Sequence, residues 1–256
     1  MDVDLGHLRK PCACGQTHEI EVRDICIESG AVTYLMDILE NYQNPVFICD
    51  SNTRAAAEPF LEEEFKDYPI IELDPDGLCA EEKTIDKVLT QLEFCERGCT
   101  AVCVDILVAI GAGTIHDIAG YCAKEYGIGY VSIPTAASTD GFASAEAHVQ
   151  WNGMQRVVPS TAPTWILADT DIFAKAPAHL TSAGVSLMME RYSSLQAGKA
   201  FLRSGSERHR EDDAELVHKA LRDVERSIDD IREGDEESIE KLMYALVICG
   251  LAVQMA

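Results

Sequence analysis

Basic residues are scarce in this chain: 21 Lys and Arg stand against 44 Asp and Glu, for a formal net charge of −23 at pH 7. A surface so acidic repels phosphate backbones and anionic lipid, so neither nucleic acid nor a membrane is an expected partner. Long apolar runs are also missing. The longest, Leu242–Ala256, is interrupted by Tyr244, Gly250 and Gln254. It falls short of the roughly 20 residues of a membrane span. Residues 1–19 hold no apolar stretch of the secretory type, so export is not expected. Cys12, Cys14 and His18 lack the second Cys or His pair of a zinc knuckle. They read as a loop before a short strand at Glu19–Val22. The 10 cysteines are scattered, which fits reduced thiols in the cytoplasm.

Apolar residues make up 47% of the 256, enough for one large domain or two smaller ones. Strands are expected at Pro45–Asp50, Pro69–Leu73, Ile106–Ile110 and Tyr130–Pro134. Between them Val32, Leu35, Met36 and Leu39, then Ile85, Val88, Leu89 and Leu92, repeat at helical spacing. Continuous apolar strands alternating with helices imply an α/β fold, a Rossmann-like parallel sheet with covering helices. After about Leu180 the strands stop. Helices are expected at Ser186–Leu202, around Leu216–Ile228 and at Glu236–Ala256. The division is thus a dinucleotide-binding α/β domain, 1–180, and a partial, all-α helical domain, 181–256. The last helix is apolar nearly all round and needs cover. With nothing after it, it reads as uncovered, the helical domain as incomplete, and self-association as an expected outcome.

Strand Ile106–Ile110 runs into Gly111-Ala112-Gly113-Thr114 and then a helix. Glycines allow close backbone approach to a pyrophosphate, and a helix start offers free N–H groups and a positive dipole end. Thr114 is expected to cap that helix or to donate to phosphate. The full G-x-G-x-x-G is not present. Asp50 ends another strand, where a carboxylate can take a ribose hydroxyl or simply cap a turn. A second loop, Thr135-Ala136-Ala137-Ser138-Thr139-Asp140, continues to Ser144. Thr135, Ser138 and Ser144 can reach a cofactor while Asp140 faces a polyol. Read alone, the loop is rather an ordinary Ser/Thr loop with Asp140 in an Asx-turn.

Together the stretches GAGTIHDIAGYCAKEYGIGYVSIPTAASTDGFAS and VPSTAPTWILADTDIFAKAPAHLTSAG resemble the glycerol-1-phosphate dehydrogenases of the glycerol dehydrogenase and dehydroquinate synthase superfamily. The resemblance implies hydride transfer between NAD(H) or NADP(H) and C2 of dihydroxyacetone phosphate, a phosphorylated polyol substrate. It implies that Asp50, Gly111, Gly113, Thr114, Ile115, His116, Asp117, Thr135, Ala136, Ala137, Ser138 and Ser144 hold the dinucleotide. Asp140 would contact substrate. It also implies a divalent metal, usually zinc, held by one Asp and two His. Here the sequence departs. The position of the metal-binding Asp is Leu187, which has no ligand atom. The family's two His lie in segments beyond those matched, and His148, His179, His209 and His218 read as surface or loop residues. A chain without these ligands is expected to have little or no dehydrogenase activity. The alternative is a non-catalytic dinucleotide-binding paralogue or subunit.

Overall fold

The structure, a computed structural model, describes residues 3–9, 20–98, 103–196 and 211–254. Cys12, Cys14, His18 and His209 lie outside the described residues. A short helix α1 (Leu5–Leu8) precedes β1 (Asp24–Glu28), a 3-10 turn Ala31–Tyr34 and α2 (Leu35–Leu39). Then come β2 (Pro45–Asp50), α3 (Ser51–Leu61), α4 (Glu64–Asp67), β3 (Ile70–Leu73) and α5 (Glu82–Gly98). The middle of the chain forms β4 (Ile106–Gly111), α6 (Gly113–Tyr126) and β5 (Gly129–Pro134). A 3-10 turn Asp140–Ala143 leads to β6 (Glu146–Trp151), β7 (Met154–Pro159), β8 (Trp165–Asp169) and α7 (Thr170–Phe173). Four helices follow: α8 (Ala178–Gln196), α9 (Glu211–Arg226), α10 (Ile228–Glu233) and α11 (Glu236–Gln254).

Six strands pair in parallel in the order β1-β8-β5-β4-β2-β3. Every residue of β2 and β4 is buried, because helices cover both faces. The period of two divides their side chains between two cores. Val46, Ile48, Leu107 and Ala109 join the cluster under α5 and α6. Phe47, Cys49, Ile106, Val108 and Ile110 join the cluster under α2 and α3. The expected strands at Pro45, Pro69, Ile106 and Tyr130 are thus present.

Four expectations are corrected. Residues 20–22 form no strand; β1 starts at Asp24, where Ile25 and Ile27 turn inward. β8 was not foreseen, nor was the antiparallel β6–β7 hairpin. The helix expected from Ser186 begins at Ala178. Its interior Gly184, a poor helix former, sits where a Cβ would lie 2.1 Å from the Ala137 carbonyl oxygen. Finally, α11 is covered. Its residues Leu242, Met243, Ala245–Cys249, Leu251 and Ala252 are buried in one cluster with Met188, Val217, Leu221, Phe142 and Ala143. The chain itself wraps the apolar helix, so the argument for self-association from an uncovered face falls away. No described helix is long and apolar enough to cross a membrane.

Candidate functional site

Parallel strands all present their carboxyl ends to one edge of the sheet, and the loops that leave them frame a crevice. Here the crevice is a cleft of about 880 Å³. Its floor is Ala112, Thr114 and Ile115, after β4, with Thr135, after β5. One wall carries Asp50, Asn52, Thr53, Pro59 and Phe60 of α3, with Pro75 and Leu78 beyond β3. The other wall runs from Asp171 through Lys175 and Pro177 to His179 and Leu180.

Of the helices that begin at this cleft, α3 and α6 are finished differently. Asp50 caps α3. Its Oδ1 accepts the N–H groups of Asn52 (2.8 Å) and Thr53 (3.0 Å), and the Asp50 N–H donates to Thr53 Oγ1 at 3.0 Å. Such a reciprocal cap is worth about 1 kcal/mol. The start of α6 has no such finish. Its N-cap is Ala112, and no side chain caps it. Thr114, expected as a cap, lies instead inside the first turn and lines the cleft. The N–H groups and dipole end of α6 therefore open onto the floor of the cleft, an arrangement suited to an anion.

Gly111 and Gly113 serve packing, since neither has positive φ. A Cβ on Gly111 would meet Ile115 Cγ1 at 2.5 Å, and one on Gly113 would meet Thr139 Cγ2 at 3.0 Å. The second contact presses the loop 135–144 against α6. That loop is tied to β4 by Thr135 N–H donating to the Gly111 carbonyl at 3.0 Å.

Of the residues expected at the dinucleotide, Asp50, Thr114, Ile115 and Thr135 line the cleft. His116 does not. It is buried in α6, with Nδ1 2.9 Å from the Ala112 carbonyl and Nε2 2.8 Å from Ser132 Oγ. A carbonyl only accepts, so Nδ1 carries the proton and Nε2 accepts from Ser132. The ring also meets Phe142 edge-on. His116 thus holds α6, β5 and the 3-10 turn together. Asp117 accepts the N–H of His148 at 2.9 Å and anchors the hairpin. Ala136 and Ala137 are buried, Ser138 is half-buried in a tight turn, and Ser144 Oγ accepts the Glu146 N–H. Asp140 is buried behind the loop. Its Oδ2 accepts two bonds from Arg191 of α8, at 3.0 and 3.2 Å. His148 and His179 are exposed and His218 half-buried. Sequence reasoning missed Arg191, Phe60 and Lys175. His179, read as a surface or loop residue and indeed exposed, also lines the cleft.

Burial pushes the His116 pKa down from 6.5 to about 4. The unfolded chain then takes its proton first. Stability is unaffected above about pH 6.5 and falls as pH drops toward 4, by on the order of 3 kcal/mol. Burial raises Asp117 from 3.8 to about 6, which works in the opposite sense over nearly the same window. Unfolding free energies of wild type and His116→Gln, followed from pH 7 to 4, cancel the Asp117 contribution. The advantage of wild type is expected to shrink as pH falls; a constant difference would refute the assignment.

Residues 26–177 match the family described as iron-containing alcohol dehydrogenase. The chain belongs to this family. The glycerol-1-phosphate dehydrogenase [NAD(P)+] of Bacillus velezensis is 33% identical over 243 residues, which cover 91% of this chain and 60% of the relative. The enzyme of the same description from Bacillus subtilis is 30% identical, with 93% and 61% covered. This member of the family therefore spans about 60% of the length of these relatives. Among solved structures, an iron-containing alcohol dehydrogenase from Thermotoga maritima superposes with a TM-score of 0.72 at 16% identity, covering 93% of this chain and 68% of that one. Glycerol dehydrogenase from Schizosaccharomyces pombe gives 0.67 at 17% identity, with 90% and 60% covered. These two likenesses concern the fold.

Proposed function

We propose that this chain is the dinucleotide-holding part of a glycerol-1-phosphate dehydrogenase, an oxidoreductase moving hydride between NADH or NADPH and C2 of dihydroxyacetone phosphate. The observation that carries the reading is the α6 start, uncapped by any side chain and open to the cleft between Thr114 and Thr135. The pyrophosphate lies against those first-turn N–H groups, and the ribose lies toward Asp50. The likeness to enzymes named for NAD(P)+ supports it. A second hollow, of about 760 Å³ beside β1, is lined by Asp24, Glu28 and Asp37; that charge repels a pyrophosphate. In this reading residues 1–180 hold the cofactor and 181–256 form the helical side. The chemistry belongs to the cytoplasm, in keeping with unpaired thiols such as Cys49 and Cys79.

The described residues do not fit the zinc that the resemblance implies. Leu187 offers no donor atom and packs against the cluster of α8, α9 and α11. Among the described residues no group of three His, Cys, Asp or Glu side chains converges. The described residues bind and orient the dinucleotide. The expected result is saturable binding of NADH or NADPH by the purified chain, read by nucleotide fluorescence, with no reduction of dihydroxyacetone phosphate. Failure of both nucleotides to bind would overturn the site. Stoichiometric zinc together with turnover would overturn the impairment.

A further inference from the structure

Phe60 is 39% exposed, and of the large apolar side chains left open to solvent among the described residues it alone lines the cleft. Its ring is met from the opposite wall. Lys175, in the segment between α7 and α8, places Nζ 5.7 Å from the ring centroid. That contact bridges α3 to the far wall. Around it stand apolar residues, Pro59 and Ala56 on one side, Pro177 and Leu180 on the other. Such a slot suits a planar ring with an apolar face. One face of a phenyl ring can receive a cation or a base, not both.

We propose that the Phe60 ring is the seat of the cofactor's adenine and that Lys175 is a latch on it, covering the ring in the unliganded protein and displaced by the base. This rests on the dinucleotide reading above. Stacking of a base on an aromatic ring is worth roughly 5- to 150-fold in affinity, against about two- to fivefold for an exposed cation over the same ring. The base therefore wins the ring, and the latch lowers the affinity of any adenine ligand by the smaller factor.

The two roles separate in titrations of the full chain with NADH and with adenosine, which has no phosphate for Lys175 to attract. Phe60→Ala loses the stacking but also the latch, so it is expected to weaken NADH by roughly a few-fold to several tens-fold, whereas Phe60→Trp keeps the affinity. Lys175→Ala is expected to tighten adenosine about two- to fivefold. Phe60 is exposed, so its variants should melt as wild type does, and thermal denaturation checks this. If wild type and Phe60→Ala bind NADH alike, the seat is refuted and the dinucleotide reading stands. If adenosine binds no tighter to Lys175→Ala, the latch is refuted. If wild type binds neither ligand, both readings fall together.

Discussion

Gly184→Ala is expected to lower the unfolding free energy by about 3 kcal/mol, although in an isolated helix the same change would stabilise by about 1 kcal/mol. The new methyl would sit 2.1 Å from the Ala137 carbonyl oxygen and 3.3 Å from Leu246 Cδ1. The first neighbour is backbone and cannot rotate away, so α8 or the loop 135–144 must move. Movement of the loop reaches the cleft through Thr139, which leans on Gly113, and through Thr135. Dinucleotide affinity should therefore fall with stability. Gly141→Ala is the control, because its Cβ would meet only the Thr139 side chain, Oγ1 at 3.4 Å and Cγ2 at 3.8 Å. Urea titration decides the sign. A Gly184→Ala protein as stable as wild type would mean that the packing of helix against loop has been misread.

Asp169→Ala should cost about 4 kcal/mol. Asp169 is fully buried at the end of β8. Its Oδ1 accepts the N–H groups of Gly30 (3.2 Å) and Asp171 (3.0 Å), and its Oδ2 accepts that of Val32 at 3.1 Å. Truncation strands the buried Val32 donor, at about 1–3 kcal/mol, and two half-buried ones, Gly30 and Asp171, that cost less as water reaches them. The loss also loosens the start of α7, from which Asp171 and Lys175 reach the cleft wall. Asp169→Asn keeps one oxygen and should recover part of the loss in the same denaturation experiment. Equal stability of the Ala and Asn variants would show that the carboxylate is not holding these amides.

Strands β2, β4 and β5 were legible because burial on both faces leaves apolar runs, unbroken in Ile106–Ile110 and interrupted only by Ser132 in Tyr130–Pro134. β1 and β8 were not. Their sequences, Asp24-Ile-Cys-Ile-Glu28 and Trp165-Ile-Leu-Ala-Asp169, are short and end in acids, and β8 inserts between β1 and β5 from far along the chain. The hairpin had a signal that went unused: Asn152-Gly153, with φ of 51° and 73°, is the turn pair that favours a two-residue connection. At the site, the residues that follow strands could be read locally, as Asp50, Thr114 and Thr135 were. The wall from Asp171 to Leu180 could not, because only the closed sheet brings it opposite α3. His116 entered the expected site through the resemblance alone, and its two ring nitrogens are engaged by Ala112 and Ser132.

The contrast between the two helix starts reaches beyond the cleft. α3 brings its own acceptor in Asp50, so its first turn is equally well finished in every setting. α6 has no side-chain acceptor of its own, so an anion bound there, as in the proposed function, would add to its stability with the logarithm of that anion's concentration.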